Sequence, residues 1–346
     1  MRVGLVGFAG SGKTTVFNAM TGLHAPVGFG GELRLGAVRV PDMRIDTLSK
    51  VFSPKKTTYA EISFCDVPGE HGAEKKGLSM KALQQIRDQD ALCLVLRDFL
   101  NPAAEGDPDP LADLEAFALE CSFADLAIIE RRLDRGQREK APQHEMAAFE
   151  KMRTTLEDGR PLREIPMTEL DRSSLRGYGF LTDKPLLVAL NRDESRAGDP
   201  MPPALAARLT ALTAAGLVLS ASVEAEIAGL EPAEQMAFLE DLGLHESALA
   251  RFIRAAYGLL ELISFFTVGA DEVRAWPIRR GTHARQAAGR IHSDLERGFI
   301  RAEVIPYDVF MQFGSEHAVK EAGRLHVEGK DYLVGDGDIM HVRFNV

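Results

Sequence analysis

The sequence predicts an α/β fold: a parallel-sheet domain carrying a phosphate-binding loop, interrupted by a helical hairpin and followed by a small α+β module. Three observations predict it. An apolar run at residues 3–6 leads into Gly7-Phe8-Ala9-Gly10-Ser11-Gly12-Lys13-Thr14, which fits G-x-x-x-x-G-K-[ST], and a helical pattern follows. The runs DALCLVL at 90–96 and LLVAL at 186–190 are almost continuously apolar, as strands covered on both faces of a parallel sheet are. Between them the pattern changes to helical spacing over 111–133 and 143–156, and from residue 263 it changes again to short strands around one helix.

The first strand and loop set the chemistry. A triphosphate needs several backbone N–H donors converging on it, so the chain must bend without Cβ atoms in the way. A helix beginning near Lys13 adds unpaired N–H groups and the positive end of its dipole. Ala9, Gly10, Ser11, Gly12, Lys13, Thr14 and Thr15 are therefore the candidate phosphate contacts, with Lys13 reaching the β- and γ-phosphates and the Thr14 hydroxyl ligating Mg²⁺. The glycine-rich stretch 24–36 follows, and no Ser or Thr occurs between Gly22 and Arg44, where switch-type NTPases place a threonine over the metal. Residues 35–40 read as a strand, Pro41-Asp42 as a turn, 46–52 as a short helix or turn and 60–65 as a strand. That strand runs into Asp66-Val67-Pro68-Gly69, a D-x-x-G match about forty-five to fifty residues beyond the loop, which favours a Mg²⁺-holding carboxylate at Asp66 over an ordinary Pro-Gly turn. Glu70 or His71 stands where many such enzymes orient the attacking water, although a solvated loop explains either residue alone.

After the strand at 90–96, residues 101–110 are a turn-rich break. The helical spacing of 111–133 and 143–156 predicts an antiparallel hairpin inserted into the sheet domain, with a third helix near 167–176. Arg131, Arg132, Arg135, Arg138 and Lys140 cluster at its tip and read as a solvated helix end in preference to a nucleic-acid contact. The strand at 186–190 ends at Asn191-Arg192-Asp193-Glu194. A helix over 204–215 and a last parallel strand over 217–221 then end in Ser220-Ala221. Asn191, Arg192, Glu194, Ser220 and Ala221 thus fall beyond the carboxyl ends of strands, where a nucleotide base sits in doubly wound sheets. Helices are expected over 231–242 and 247–262. The last module has expected strands at 264–268, 273–278, 300–305, 331–334 and 339–345 and a helix over 284–297. It holds five of the nine histidines, at spacings that match no metal motif.

The chain has 346 residues, 45% of them hydrophobic, enough for two or three domains with real cores. A net charge of −10 argues against broad nucleic-acid coating. Cys65, Cys93 and Cys121 are odd in number and unpaired in spacing, which suggests a reducing compartment with no disulfide or zinc framework. No apolar run reaches membrane-spanning length and the first residues enter a strand directly, so a cytoplasmic, membrane-free monomer is expected.

Further stretches carry a resemblance: VGADEVRAWPI, GRIHSDLERGFIRAEVI, KEAG, EGKDYLV, DGDIMHVRFNV, LSASVEAEIAGL and FLTDKPLLVALN. On these the chain resembles, over almost its whole length, the YchF-type, Obg-like ATPases of the translation-factor-related P-loop class. The resemblance implies a Ras-like nucleotide domain (1–110 and 180–262), an inserted coiled-coil-like helical domain (111–179) and a C-terminal β-grasp, or TGS, domain (263–346). It implies slow, Mg²⁺-dependent hydrolysis with ATP preferred over GTP, and association with the ribosome or RNA through the helical and TGS domains. Guanine selection uses N-K-x-D; here the lysine is missing and Glu194 stands at the carboxylate position, so the groups no longer match guanine. Three features depart from the family: Ala9-Gly10 replaces Pro-Asn, the switch threonine is absent, and Glu70 follows D-x-x-G in place of a hydrophobic residue. The loop after Asp98 is also shortened and lacks the family's histidine.

Two readings compete. One is a slowly hydrolysing regulatory ATPase, with Lys13 and Glu70 or His71 serving the reaction. The other is a hydrolysis-deficient module that uses nucleotide as a conformational scaffold in translation or stress response. A small-molecule kinase shares the phosphate loop but leaves D-x-x-G and the last module unexplained.

Overall fold

The computed structural model describes residues 1–23, 33–67, 79–102, 104, 106–166, 175, 177–241 and 246–345. In chain order the elements are β1 (Arg2–Val6), α1 (Lys13–Thr21), β2 (Arg34–Arg39), α2 (Met43–Phe52), β3 (Lys56–Thr58), β4 (Glu61–Asp66), α3 (Met80–Arg87) and β5 (Ala91–Asp98). The long helices α4 (Pro110–Glu139) and α5 (Gln143–Glu157) follow, then β6 (Leu186–Arg192), α6 (Pro203–Ala211), β7 (Ala215–Leu219), α7 (Ala221–Gly229), α8 (Pro232–Asp241) and α9 (Ala248–Leu259). The chain closes with β8 (Leu262–Thr267), β9 (Glu272–Arg279), α10 (Ala284–Ile291), α11 (Ser293–Arg297), β10 (Phe299–Pro306), α12 (Tyr307–Phe313), α13 (Glu316–Glu321), β11 (His326–Glu328) and β12 (Asp338–Phe344).

These elements form two units, residues 1–38 with 63–259 and residues 39–62 with 260–346. The first is built on a six-stranded sheet of order β2-β4-β1-β5-β6-β7. Neighbours from β4 to β7 are parallel, so their carboxyl ends share one edge. β5 is buried through Arg97 and β6 along all seven residues, the two-faced coverage that their apolar runs predict. Helix α4 starts at an Asp109 cap that accepts from the Ala112 N–H at 3.0 Å, with Pro110 in the first turn. Its buried residues Leu114, Phe117, Cys121, Asp125, Ile129 and Leu133 recur every three or four positions. The lower half of that seam joins the sheet core with Leu94, Val188 and Leu209. The upper half packs on Phe149, Met152 and Leu156 of α5. The tip is bound by its own charges: Arg132 grips Glu145 with two nitrogens, at 3.0 and 2.6 Å, and Arg135 meets Glu139 at 2.8 Å. The third helix expected near 167–176 falls largely outside the described residues.

The second unit carries a sheet of order β11-β10-β12-β8-β9-β3. Here the structure differs from the sequence reading in several places. Residues 39–62, which the resemblance places within the nucleotide domain, cluster with the last module, where β3 pairs in parallel with β9 and Phe52 of α2 stacks on Phe310 at 5.4 Å. The helix expected over 284–297 breaks at His292, whose extended backbone (φ −161°) ends α10 and caps α11. Residues 331–334 form no strand. Leu333 makes one bridge to His283, and the edge strand is β11, a short polar segment with little alternation to reveal it. Helices α12 and α13, unforeseen from the sequence, begin at Pro306 and at a Ser315 cap.

Candidate functional site

Because the strands are parallel, β1, β4, β5 and β6 deliver Gly7, Asp66, Asp98 and Asn191 to one edge of the first unit's sheet. The loop after β1 turns through Gly10 (φ 71°) and Gly12 (φ 83°), both left-handed, and α1 begins at Lys13 as the spacing predicts. A Cβ on Gly12 would stand 2.2 Å from the Asn191 Nδ2 atom, so only glycine fits there. The Ser11 hydroxyl is buried without a hydrogen-bond partner among the described residues, while Ala9 in the same loop is exposed.

Asp66 gathers the charged groups. Lys13, 8% exposed, donates Nζ to the Asp66 Oδ1 atom at 2.9 Å and to the Val67 carbonyl. The Thr14 hydroxyl donates to the Asp66 Oδ2 atom at 3.2 Å, and Arg34 approaches the same oxygen at 3.7 Å. A carboxylate and a hydroxyl in contact form a hard-oxygen pair suited to Mg²⁺, and a lysine held beside them by a carboxylate suits an anionic phosphate. The residues present thus fit a magnesium–nucleotide ligand. Thr15 lies half-buried in the first turn of α1. Glu70 and His71 lie outside the described residues, as do Pro68 and Gly69.

On the base side, Asn191 spends its amide inside the protein. Nδ2 donates to the Ser11 carbonyl at 2.9 Å, and Oδ1 accepts from the Ala221 N–H at 2.9 Å. The residue therefore joins the end of β6 to the phosphate loop and to the start of α7. Arg192, expected around the base, donates Nε to Asp98 at 2.7 Å and Nη1 to the carbonyls of Asp199 and Pro200. Glu194 opens the exposed turn Glu194–Arg196. The Ser220 and Ser222 hydroxyls lie 3.0 Å apart.

Two residues that the sequence reading passed over complete the site. Asp98 also accepts from Arg196, and Asn101 donates Nδ2 to the Gly10 carbonyl at 3.1 Å. Asp98 ends β5 as Arg192 ends β6, but the register that pairs them is set by the fold and not by the sequence. Nothing in the spacing links Asn101 to a loop 91 residues earlier.

Residues 2–123 match a family model described as 50S ribosome-binding GTPase, and residues 262–345 match the YchF-GTPase C-terminal model, described as a protein of unknown function. The ribosome-binding ATPase YchF of Bacillus subtilis (strain 168) is 38% identical over 100% of both chains. The chain belongs to the YchF family. The protein of the same name from Escherichia coli O157:H7 is 39% identical over 100% of this chain and 99% of its own. The solved Schizosaccharomyces pombe YchF GTPase superposes with a TM-score of 0.90 at 28% identity, covering 99% of this chain and 97% of that one. The architecture is accordingly that of a YchF protein: a Ras-like P-loop domain with an inserted helical hairpin and a C-terminal β-grasp (TGS) domain.

Proposed function

We propose that this YchF-family protein is a ribosome-associated nucleotide-binding NTPase that prefers ATP over GTP and hydrolyses it slowly with Mg²⁺. The observation that carries the reading is the convergence of Lys13 and Thr14 on the Asp66 carboxylate beneath the glycine loop. In this reading Lys13 exchanges its carboxylate and carbonyl partners for phosphate oxygens, the freed Asp66 acts through water, and Thr14 turns its hydroxyl to the metal. Bound magnesium would supply charge neutralisation at the β- and γ-phosphates. The amides of Gly10, Ser11 and Gly12 hold the phosphates, and Glu194 takes the base-side carboxylate position. Arg192 is engaged by Asp98, and the proposed preference for adenine rests on the missing lysine and on Glu194 at the carboxylate position of N-K-x-D. Glu70 or His71 orients water. Ribosome association is proposed from the relatives, which are ribosome-binding ATPases, and the helical hairpin and TGS module are the surfaces proposed to make it.

Calorimetric titration of ATP and GTP with Mg²⁺ tests this. Tighter ATP binding, abolished by Lys13→Ala, is expected; equal affinities end the adenine preference, and binding unchanged by Lys13→Ala ends the site assignment. The absence of any Ser or Thr between Gly22 and Arg44 favours a second reading, a nucleotide-held scaffold with negligible turnover. Single-turnover hydrolysis with and without ribosomes separates the two readings. Turnover raised above about 10⁻⁴ s⁻¹ by ribosomes supports the ATPase, and none in either condition supports the scaffold.

A further inference from the structure

Asp98, Phe99, Leu100 and Asn101 leave the carboxyl end of β5 between the phosphate loop and the turn at 194–196. We infer that Asp98 and Asn101 are positioning residues, forming a strut whose two ends separately fix the base-side turn and the phosphate loop; the inference rests on the nucleotide site proposed above.

At the phosphate end, Asn101 donates Nδ2 to the Gly10 carbonyl at 3.1 Å. A Cβ built on Gly10 would stand 2.8 Å from both the Ala104 Cβ and the Asn101 Nδ2, so this segment packs directly on a backbone that carries no side chain. Gly10 holds φ 71°, and a carbonyl pinned on one side of such a bend aims the adjoining N–H groups to the other. Asn101 thus supplies, from another strand's end, a side chain that the loop itself lacks.

At the base end, the Asp98 Oδ2 atom accepts from Arg192 at 2.7 Å and from Arg196. Arg192 is 5% exposed and its other acceptors among the described residues are neutral carbonyls, so among these Asp98 is the carboxylate that balances it. Arg196 closes the three-residue turn that Glu194 opens. Without the carboxylate, the turn presenting Glu194 loses its anchor while the phosphate loop keeps both Asn101 and Asn191. The two ends are chemically separable because one bond serves phosphate geometry and the other serves the turn beside the base.

The test is calorimetric binding of ATP, GTP, AMP and tripolyphosphate, each with Mg²⁺, to the full chain and to Asn101→Ala and Asp98→Asn. Asn101→Ala should weaken ATP and tripolyphosphate about fivefold, the worth of one hydrogen bond, and leave the ATP-to-GTP ratio unchanged. Asp98→Asn should weaken ATP and AMP about tenfold, narrow the ATP-to-GTP ratio and leave tripolyphosphate unchanged. Asn101→Asp and Asp98→Glu provide second variants should either first variant fail to fold; the former must reproduce the phosphate-side loss and the latter must restore AMP binding. Uniform weakening of all four ligands, or no change in any, overturns the strut. An unmodified chain that binds no ATP sinks the nucleotide site itself, a result distinguishable from either.

Discussion

Gly12 shows how little latitude one position leaves. Its left-handed φ and the 2.2 Å approach to Asn191 act together, so Gly12→Ala should cost about 1–3 kcal/mol and remove nucleotide binding, checked by urea denaturation and calorimetry. Ser11 is the opposite case. Its buried hydroxyl has no partner among the described residues, so Ser11→Ala should leave stability unchanged or raise it by about 1 kcal/mol without nucleotide, where truncation of a bonded group would lower it. Burial pushes the Cys65 thiol up to about 11 and Cys93 and Cys121 higher than their ordinary values, so all three should resist thiol reagents until the chain unfolds. His341 gives the second unit a pH dependence. Its Nε2 lies 2.7 Å from the Glu316 carboxylate, which raises its pKa above the ordinary histidine value. A raised histidine pKa means the folded form binds the proton more tightly. The contribution is therefore fully present below about pH 6.5 and lost as pH rises through the higher folded value. Unfolding midpoints of the second unit should fall over that interval, and Glu316→Gln should flatten the slope.

At the scale of elements, Asp125 decides how the hairpin joins the sheet unit. It is wholly buried midway along α4 and accepts from Arg87 at 2.9 Å, from the backbone of Leu181 and Thr182, and from the Thr182 hydroxyl. Arg87 ends α3 and also donates to the carbonyls of Ala124 and Gly179. Removing the carboxylate strands a cation and three other donors, so Asp125→Ala should cost about 3–5 kcal/mol in urea denaturation. Arg87→Met added to it should recover part of that loss, since the cation is then gone as well. Helical spacing announced α4 and α5 because apolar residues recurred every three or four positions. That spacing did not single out Asp125, because a carboxylate with four donors looks, in sequence, like any other charge.

For the whole molecule, the informative segment is 39–62. The resemblance places it within the nucleotide domain, yet Arg44 bonds to Asp336 at 3.1 Å, Lys55 to Asp271 at 2.8 Å, and Phe52 stacks on Phe310. A fragment of residues 260–346 should accordingly melt well below the same module with 39–62 fused to it, as followed by circular dichroism. Equal melting would show that α2 and β3 are passengers there. No helix among the described residues is long and apolar enough to cross a membrane.

The sequence by itself determined the features that depend on neighbours along the chain. These are the glycine bend ending in Lys13 and Thr14, the buried parallel strands, the hairpin's apolar seam and the placing of Asp66 at a strand's end. Each is written in a local spacing, because backbone geometry repeats with a fixed period. Tertiary structure alone decided which distant groups meet. Asn101 reaches Gly10, Arg192 goes to Asp98, Asn191 is spent on Ser11 and Ala221, and β3 joins a strand more than two hundred residues later. Those pairings follow from sheet order and crossover, which place carboxyl ends side by side, and no periodicity along the chain records them.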